Sequence, residues 1–299
     1  LHPYNKISSV QRKIMTTIGG SNIYNIAVRG SFDDCQKIVK ELFNEDNFRL
    51  KINMSGVNSI NWARIVCQIV YYFYSYFKLK KENISFSVPT GNFGDIYAGY
   101  IAKKMGLPIN KLLVATNEND ILQRVINTGE YKPDKVKPSI SPSMDIQVAS
   151  NFERLLFYIV GQDDQKVSLL MKDLSKKGFF KLTQNQIQDI KKDFEAVKIN
   201  DKTTQLIIKN INDEFKFIID PHTATGIAAA RKVKSLDNII VLGTAHPFKF
   251  SDTVKKVTGK NVDAPSYLKM DIDKKEKFDI IGNSNSEVKN YILSKVLWR

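Results

Sequence analysis

Two stretches carry residue types that could do chemistry. The first is PTGNFGD, residues 89 to 95, which follows the apolar run ISFSV and precedes IYAGYIAKKMGLP, a helix pattern stopped by Gly106 and Pro108. A loop that leaves the carboxyl end of a strand and opens a helix aims several backbone N–H groups at one point. Those donors have no partner inside the helix, and the helix dipole adds roughly half a positive charge there. Gly91 and Gly94 leave room for an anion, and Asn92 and Phe93 contribute amides, so the predicted ligand is a phosphate group. The plainer alternative is a βα turn with Asp95 as the helix N-cap. The loop lacks the Gly-Lys-Ser/Thr of a P-loop and the third glycine of a dinucleotide fingerprint, so local sequence leaves both readings open.

The second stretch is VLGTAHPFKF, residues 241 to 250, at the end of another strand pattern. It leaves Thr244 and His246 where open α/β sheets bind ligands. A buried threonine hydroxyl there can hydrogen-bond a ring nitrogen while leaving it unprotonated, because it supplies no negative charge. His246, just before Pro247, reads first as a residue that holds the turn. His222, in DPHTATG, reads as a structural histidine at a helix start, with a place near the site as the alternative. In NSINWAR, Ser59 could cap the following helix, or the polar cluster could meet a ligand.

The elements that must position these residues alternate. RGSFDDCQKIVKELFN is a helix capped by Ser31, with Asp34 three residues on. NSINWARIVCQIVYYFYSYF is a helix apolar nearly all round, and so expected to be buried. ISFSV, the glycine loop, a helix to Met105, the strand KLLVAT and the helix ENDILQRVINTG then follow. That order is the signature of βαβ units, so the predicted class is α/β, a mostly parallel open sheet with helices on both faces. The expected organisation is a first α/β part over residues 1–160, a helical insertion over 161–216 packed outside the sheet, a continuation over 217–260 and a peripheral lysine-rich segment over 261–299.

Composition narrows the function. The 299 residues, 42% hydrophobic and 25% charged, suit a sizeable soluble core. The longest apolar run, IVCQIVYYFYSYF, falls short of the roughly 18 residues a membrane helix needs. The net charge of +14 invites a nucleic-acid partner, but 37 lysines against 8 arginines, scattered from Lys6 to Lys295, make no basic stripe. Cys35 and Cys67 have no metal spacing; they read as core thiols in a reducing, cytoplasmic compartment, with no metal. The chain opens on Leu1 in apparently structured sequence, so it is expected to be a piece of something longer.

The blocks GVNSINWAR, VPTGNFGDIYAGYIAKKMGLP, ATNENDIL, SPSMDIQVASNFERLLF, DPHTATG and GTAHPFKF stand in the order seen in threonine synthases of the bacterial and fungal form. The chain resembles that family from Leu1 to about Thr258, most weakly in the helical insertion. The resemblance implies the tryptophan-synthase-β fold (fold type II) and the cofactor pyridoxal 5'-phosphate. The implied substrate is O-phospho-L-homoserine, which water would convert to L-threonine and phosphate in the last step of threonine biosynthesis. By position, Gly91, Asn92, Phe93, Gly94 and Asp95 would hold the cofactor phosphate and Thr244 would face the pyridine nitrogen. Asn58, Ser59, Asn61 and Arg64 are the candidates for the substrate side, and the oligomeric state is left as monomer or dimer.

The family's Schiff-base lysine lies in a Phe-Lys-Asp block that this sequence lacks. Lys249 and Lys103–Lys104 are badly placed and read as solvated. The chain therefore resembles the C-terminal two-thirds of the enzyme, with the lysine expected upstream and this piece expected to be inactive alone. Two other readings stay in view: a phospho-lyase of the same fold acting on another phosphorylated amino alcohol or hydroxy acid, and a non-catalytic anion- or nucleic-acid-binding module.

Overall fold

The computed structural model describes residues 1–7, 9–56 and 61–296. In chain order it builds β1 (His2–Pro3), α1 (Ser9–Thr16), β2 (Ile26–Val28), α2 (Phe32–Asn44), α3 (Asp46–Lys51), α4 (Trp62–Leu79), β3 (Ser85–Pro89), α5 (Gly94–Lys104), β4 (Leu112–Thr116) and α6 (Ile121–Thr128). Next come β5 (Glu130–Tyr131), a 3-10 turn at Pro142–Met144, α7 (Phe152–Ile159), α8 (Asp164–Lys177), β6 (Phe180–Lys181), α9 (Gln184–Asp193), β7 (Phe194–Lys198), α10 (Asp201–Phe215), α11 (Pro221–Lys232) and β8 (Ile239–Val241). The chain closes with a 3-10 turn at Pro247–Phe250, α12 (Ser251–Thr258), α13 (Ser266–Ile272), β9 (Asp279–Ile281) and α14 (Asn285–Lys295).

Two compact units result, Leu1–Gly56 with Asp263–Arg299, and Val57–Val262. The first holds a parallel sheet ordered β1-β2-β9, with α2 and α14 over a small core of Val28, Ile38, Leu42 and Val288. Ser31 caps α2, and Asp34 completes the reciprocal capping box.

The second unit holds a parallel sheet ordered β7-β4-β3-β8. All five residues of β3 and of β4 are buried; LLVAT of β4 is the near-continuous apolar run of a strand covered on both faces, whereas SFSVP of β3 alternates and buries Ser85 and Ser87 as well. Phe86, Val88, Leu112 and Val114 face the core shared with α4 and α5, whereas Leu113 and Ala115 face the core shared with α10 and α11. Helices thus cover both faces. On the second face Ser87 Oγ donates to the Gly226 carbonyl at 2.7 Å. A Cβ on Gly226 would come within 2.8 Å of Val241, so the missing side chain lets α11 lie close to the sheet.

Several expectations need correction. The segment 161–216 is not purely helical, because β7 enters the sheet beside β4. FEAVK alternates over only five residues between two polar amphipathic helices, so its strand signal was masked. The strand before VLGTAHPFKF ends early, since only Ile239–Val241 pair with β3 and LGTAHPFKF leaves the sheet. The last segment supplies β9 to a sheet instead of lying wholly at the periphery. In α4 only Ile65, Ile69 and Tyr72 are buried, while Val70, Tyr74, Phe77 and Cys67 are exposed. Hydrophobicity all round a helix does not say which face has a partner.

Inside the second unit, Gly99 is a close-approach position. A Cβ there would sit 2.5 Å from Tyr72 Cε1 and 2.8 Å from Leu112 Cδ2, so α4 and the sheet close on α5 only because that atom is missing. Tyr72 is fully buried and has no room to retreat. Gly99→Ala should therefore destabilise the protein by about 1–3 kcal/mol through overpacking. Urea denaturation measures this, and an unchanged midpoint would show that the α4–α5 contact is loose.

Candidate anion-binding site

In a parallel sheet all carboxyl ends lie on one edge. From β3 the chain crosses to β4 on one side, while β8 pairs with β3 on the other. The order of strands reverses between β3 and β8, and the loops leaving those two strands stand at the position where open α/β sheets bind ligands. PTGNFGD and LGTAHPFKF are those loops.

The first loop leaves β3 with the Thr90 amide bonded to the Ala115 carbonyl at 2.8 Å, so Thr90 is part of the sheet and not of the anion cup. From there the chain turns through Phe93, which has φ 64° and ψ 5° and immediately precedes α5. A left-handed conformation at a non-glycine residue costs on the order of 1 kcal/mol. The ring offsets it: Phe93 is fully buried, edge-on to Phe152 at 5.3 Å and 5.6 Å from Phe194. No side chain caps α5, and Asp95 is not its N-cap. Among the described residues the amides of Gly91, Phe93, Gly94 and Asp95 meet no acceptor, and Phe93 and Gly94 are buried. A buried helix start without a cap is a ready place for an anion.

The other loop residues have protein partners. Asn92 Oδ1 accepts from the Ser150 amide at 2.5 Å, and its carbonyl accepts from the backbone and side chain of Asn151, both at 3.2 Å. Asn92 thus ties the loop to the start of α7. Gly91 is bare for a reason sequence reading missed. Its Cβ would lie 2.7 Å from the Ser143 carbonyl oxygen, so the space belongs to the 141–144 turn rather than to an incoming ligand. The Asp95 carboxylate accepts from the Tyr72 hydroxyl at 3.2 Å, and that hydroxyl also donates to the Asp95 carbonyl at 2.8 Å. Burial raises the Asp95 carboxyl to about 6, against the opposing pull of the Tyr72 bond.

The 141–144 turn connects the glycine loop to α11. His222 is buried, and its Nε2 accepts from the Ser143 amide at 3.3 Å. That bond leaves Nδ1 as the protonated nitrogen, donating to Asp220 at 3.0 Å. Asp220 in turn caps α11 through the amides of His222 and Thr223 and takes the Thr223 hydroxyl. His222 is therefore a strut.

On the second loop, His246 Nδ1 accepts from the Phe248 amide at 3.2 Å, as expected of a residue that holds the turn. Thr244 is exposed, contrary to the burial expected of it, and lies one residue beyond Gly243, whose Cβ would be 3.7 Å from Thr223 Oγ1. Lys249 is half-buried rather than solvated; burial lowers its amine, and Asp220 raises it in part. At the start of α4, Asn61 is the cap, accepting from the Ala63 amide at 2.9 Å, and Arg64 is exposed. Asn58 and Ser59 lie outside the described residues. Among the described residues no group of three or more His, Cys, Asp or Glu side chains could hold a metal, and no helix is long and apolar enough to cross a membrane.

A family model described as the C-terminal part of threonine synthase matches residues 223–292. The threonine synthase of Pseudomonas aeruginosa is 42% identical over 297 residues, 98% of this chain and 63% of that protein. That of Saccharomyces cerevisiae is 44% identical over 277 residues, 85% of this chain and 54% of that protein. A crystal structure of pyridoxal-phosphate-bound threonine synthase from Brucella melitensis superposes with a TM-score of 0.92 at 42% identity. It aligns with 98% of this chain, which covers 64% of that one. The chain thus spans less than two-thirds of these relatives' length.

The Asp95 carboxyl makes a pH prediction. Its folded value of about 6 lies above the value of about 4 expected in the unfolded chain, so the folded protein holds this proton more tightly. The resulting stability is fully present below about pH 4 and is lost as pH rises through about 6. Urea denaturation of the parent and Asp95→Asn between pH 4 and 7 should show the parent losing stability relative to the variant. Parallel curves would mean that the carboxyl is ordinarily hydrated.

Proposed function

We propose, for a chain that belongs to the threonine synthase family, that it forms the cofactor-phosphate side of an enzyme converting O-phospho-L-homoserine and water to L-threonine and phosphate, acting in the cytoplasm. One observation carries this reading. The buried start of α5 presents the amides of Gly91, Phe93, Gly94 and Asp95 without acceptors among the described residues, in the loop beside the strand-order reversal. Those donors and the helix dipole suit a phosphate dianion without spending a lysine or arginine on it. These features fit the phosphate of pyridoxal phosphate, the group bound in the Brucella relative.

Each part of the chain then has a task. The amides of the 91–95 turn bind the phosphate, and Asn92 contributes by tying the turn to α7. Phe93 holds that turn against the aromatic core. Asp95 serves through its backbone, its carboxylate being turned to Tyr72. Thr244, exposed beyond β8, would be the neutral hydroxyl for the pyridine nitrogen, a partner that itself supplies no negative charge to hold a proton on the ring. When bound, the cofactor supplies an electron sink for proton removal at the substrate's carbons. Asn58, Ser59, Asn61 and Arg64 are assigned to the substrate side, the exposed Arg64 guanidinium suiting a phosphate ester. The Schiff-base amine is assigned to polypeptide beyond this sequence, where the Phe-Lys-Asp block of the family would lie.

The test is to supply O-phospho-L-homoserine to a protein joining this sequence to such an upstream region, and to this chain alone. Threonine and phosphate should form in equal amounts with the first and neither with the second. Phosphate without threonine would point to a related phospho-lyase. Gly94→Val should reduce pyridoxal-phosphate retention by at least tenfold, because a branched side chain enters the cup at a buried helix start; unchanged affinity in equilibrium dialysis would remove the phosphate assignment. Thr244→Ala should lower kcat several-fold with little change in cofactor affinity, and equal turnover would make the hydroxyl dispensable.

A further inference from the structure

A dense polar cluster sits beyond the carboxyl end of β4, and the chemistry above does not use it. Asp145 is its hub. Its Oδ1 accepts from Ser139 Oγ at 2.6 Å, Asn117 Nδ2 at 2.8 Å and Asn119 Nδ2 at 3.0 Å, while Oδ2 accepts from the Ser139 amide at 2.9 Å. Asn117 directly follows β4 and is buried, so the cluster is fixed to the sheet. Asn119 grips the opposite strand of the loop in both directions: its Oδ1 accepts from the Lys137 amide at 2.8 Å, and its Nδ2 donates to the Lys137 carbonyl at 2.8 Å. Ser139 Oγ in turn accepts from the Ser141 amide at 3.1 Å.

Such an arrangement is more than a surface loop needs. One carboxylate collects four donors from three residues on two segments, and hydrogen bonds to a charged acceptor are roughly twice as strong as neutral ones. What it holds in place is the turn Pro142–Met144. The carbonyl of Ser143 lies 2.7 Å from where a Cβ on Gly91 would be, Met144 Cα lies 3.1 Å from that point and Ile146 Cδ1 lies 3.2 Å from it. The amide of Ser143 is held from the other side by His222. The turn is therefore a wall behind the glycine loop, braced by Asp145 on one flank and by α11 on the other.

We propose that Asp145 is a positioning residue for the anion-binding loop: by clamping residues 139–145 to the end of β4, it sets the wall against which Gly91 packs and so the direction of the amides from Gly91 to Asp95. It acts through the turn. This inference rests on the reading of that loop as the cofactor-phosphate site. Substituting the carboxylate should loosen the wall and weaken phosphate binding while leaving the sheet intact. Gly91→Ala should disturb the same contact from the other side, so the two changes should not add.

The experiment compares the parent, Asp145→Asn, the milder Ser139→Ala, Gly91→Ala and the Asp145→Asn/Gly91→Ala double variant in the protein that carries this chain. Two readouts are used: equilibrium dialysis with pyridoxal phosphate, and amide hydrogen exchange resolved to peptides. We expect about tenfold weaker pyridoxal-phosphate binding for Asp145→Asn, a smaller loss for Ser139→Ala, and a double variant little worse than the worse single one. Exchange should rise at 139–146 and also at 91–95, with β3 and β4 as protected as in the parent. Tight binding in Asp145→Asn, faster exchange confined to 139–146, or loss of protection throughout the sheet would each overturn the proposal. The two readings fail separately. A parent that does not bind pyridoxal phosphate removes the cofactor assignment, whereas the exchange coupling between 139–146 and 91–95 still decides whether Asp145 sets the loop.

Discussion

Backbone amides at a buried helix start need acceptors, and among the described residues those opening α5 meet none. Leaving a buried donor unpaired costs about 1–3 kcal/mol, so such a group persists only where the surrounding structure enforces it. Here the enforcement comes from Phe93. Its left-handed backbone turns the chain out of β3 and into the helix, and its ring, buried between Phe152 and Phe194, prevents the turn from relaxing. The strain lies in the backbone, and the compensation lies in aromatic packing donated by α7 and β7. A site made of main-chain groups is thus only as firm as the core beneath it.

The surroundings of that turn divide the work by segment. Asn92 fastens it to the start of α7, the Ser143 carbonyl closes the space beside Gly91, and Asp95 turns its carboxyl toward Tyr72 on α4. Segments far apart in sequence therefore converge on five residues. The same convergence explains the close-approach glycines. Gly99 and Gly226 carry no Cβ because Tyr72 and Leu112, on one face of the sheet, and Val241 and Pro89, on the other, occupy the room it would need. Helices thus press closely on both faces of the sheet.

Sequence reading found the loops more easily than their geometry. PTGNFGD and LGTAHPFKF stood out because an apolar run, a small-residue break and a helix or turn follow in order, a local signal. Ser31 and Asp34 were legible for the same reason, since a capping box spans four residues. The roles of Gly91 and Asp145 were not legible, because each is defined by a partner dozens of residues away, and nothing local marks Ser143 as the neighbour of Gly91. Asp95 shows how a local rule misleads. It stands where a capping residue could stand, yet a buried tyrosine 23 residues earlier in the chain takes its carboxylate. β7 was hidden because five alternating residues between polar helices carry less weight than the helices around them.

By itself the sequence determined the alternation of strands and helices and the position of a glycine-rich turn at a helix start. These follow from apolar periodicity and from residues whose backbone preferences act over three or four positions. Only the tertiary structure decided that β8 lies beside β3, which sets the strand-order reversal between them, that a phenylalanine adopts the left-handed turn, and that a serine carbonyl rather than a ligand fills the space at Gly91. The physical reason is range. Hydrogen bonds and steric contacts between distant segments depend on how the helices pack against the sheet, and that packing is written in the summed shape of many side chains, not in any one stretch of the chain.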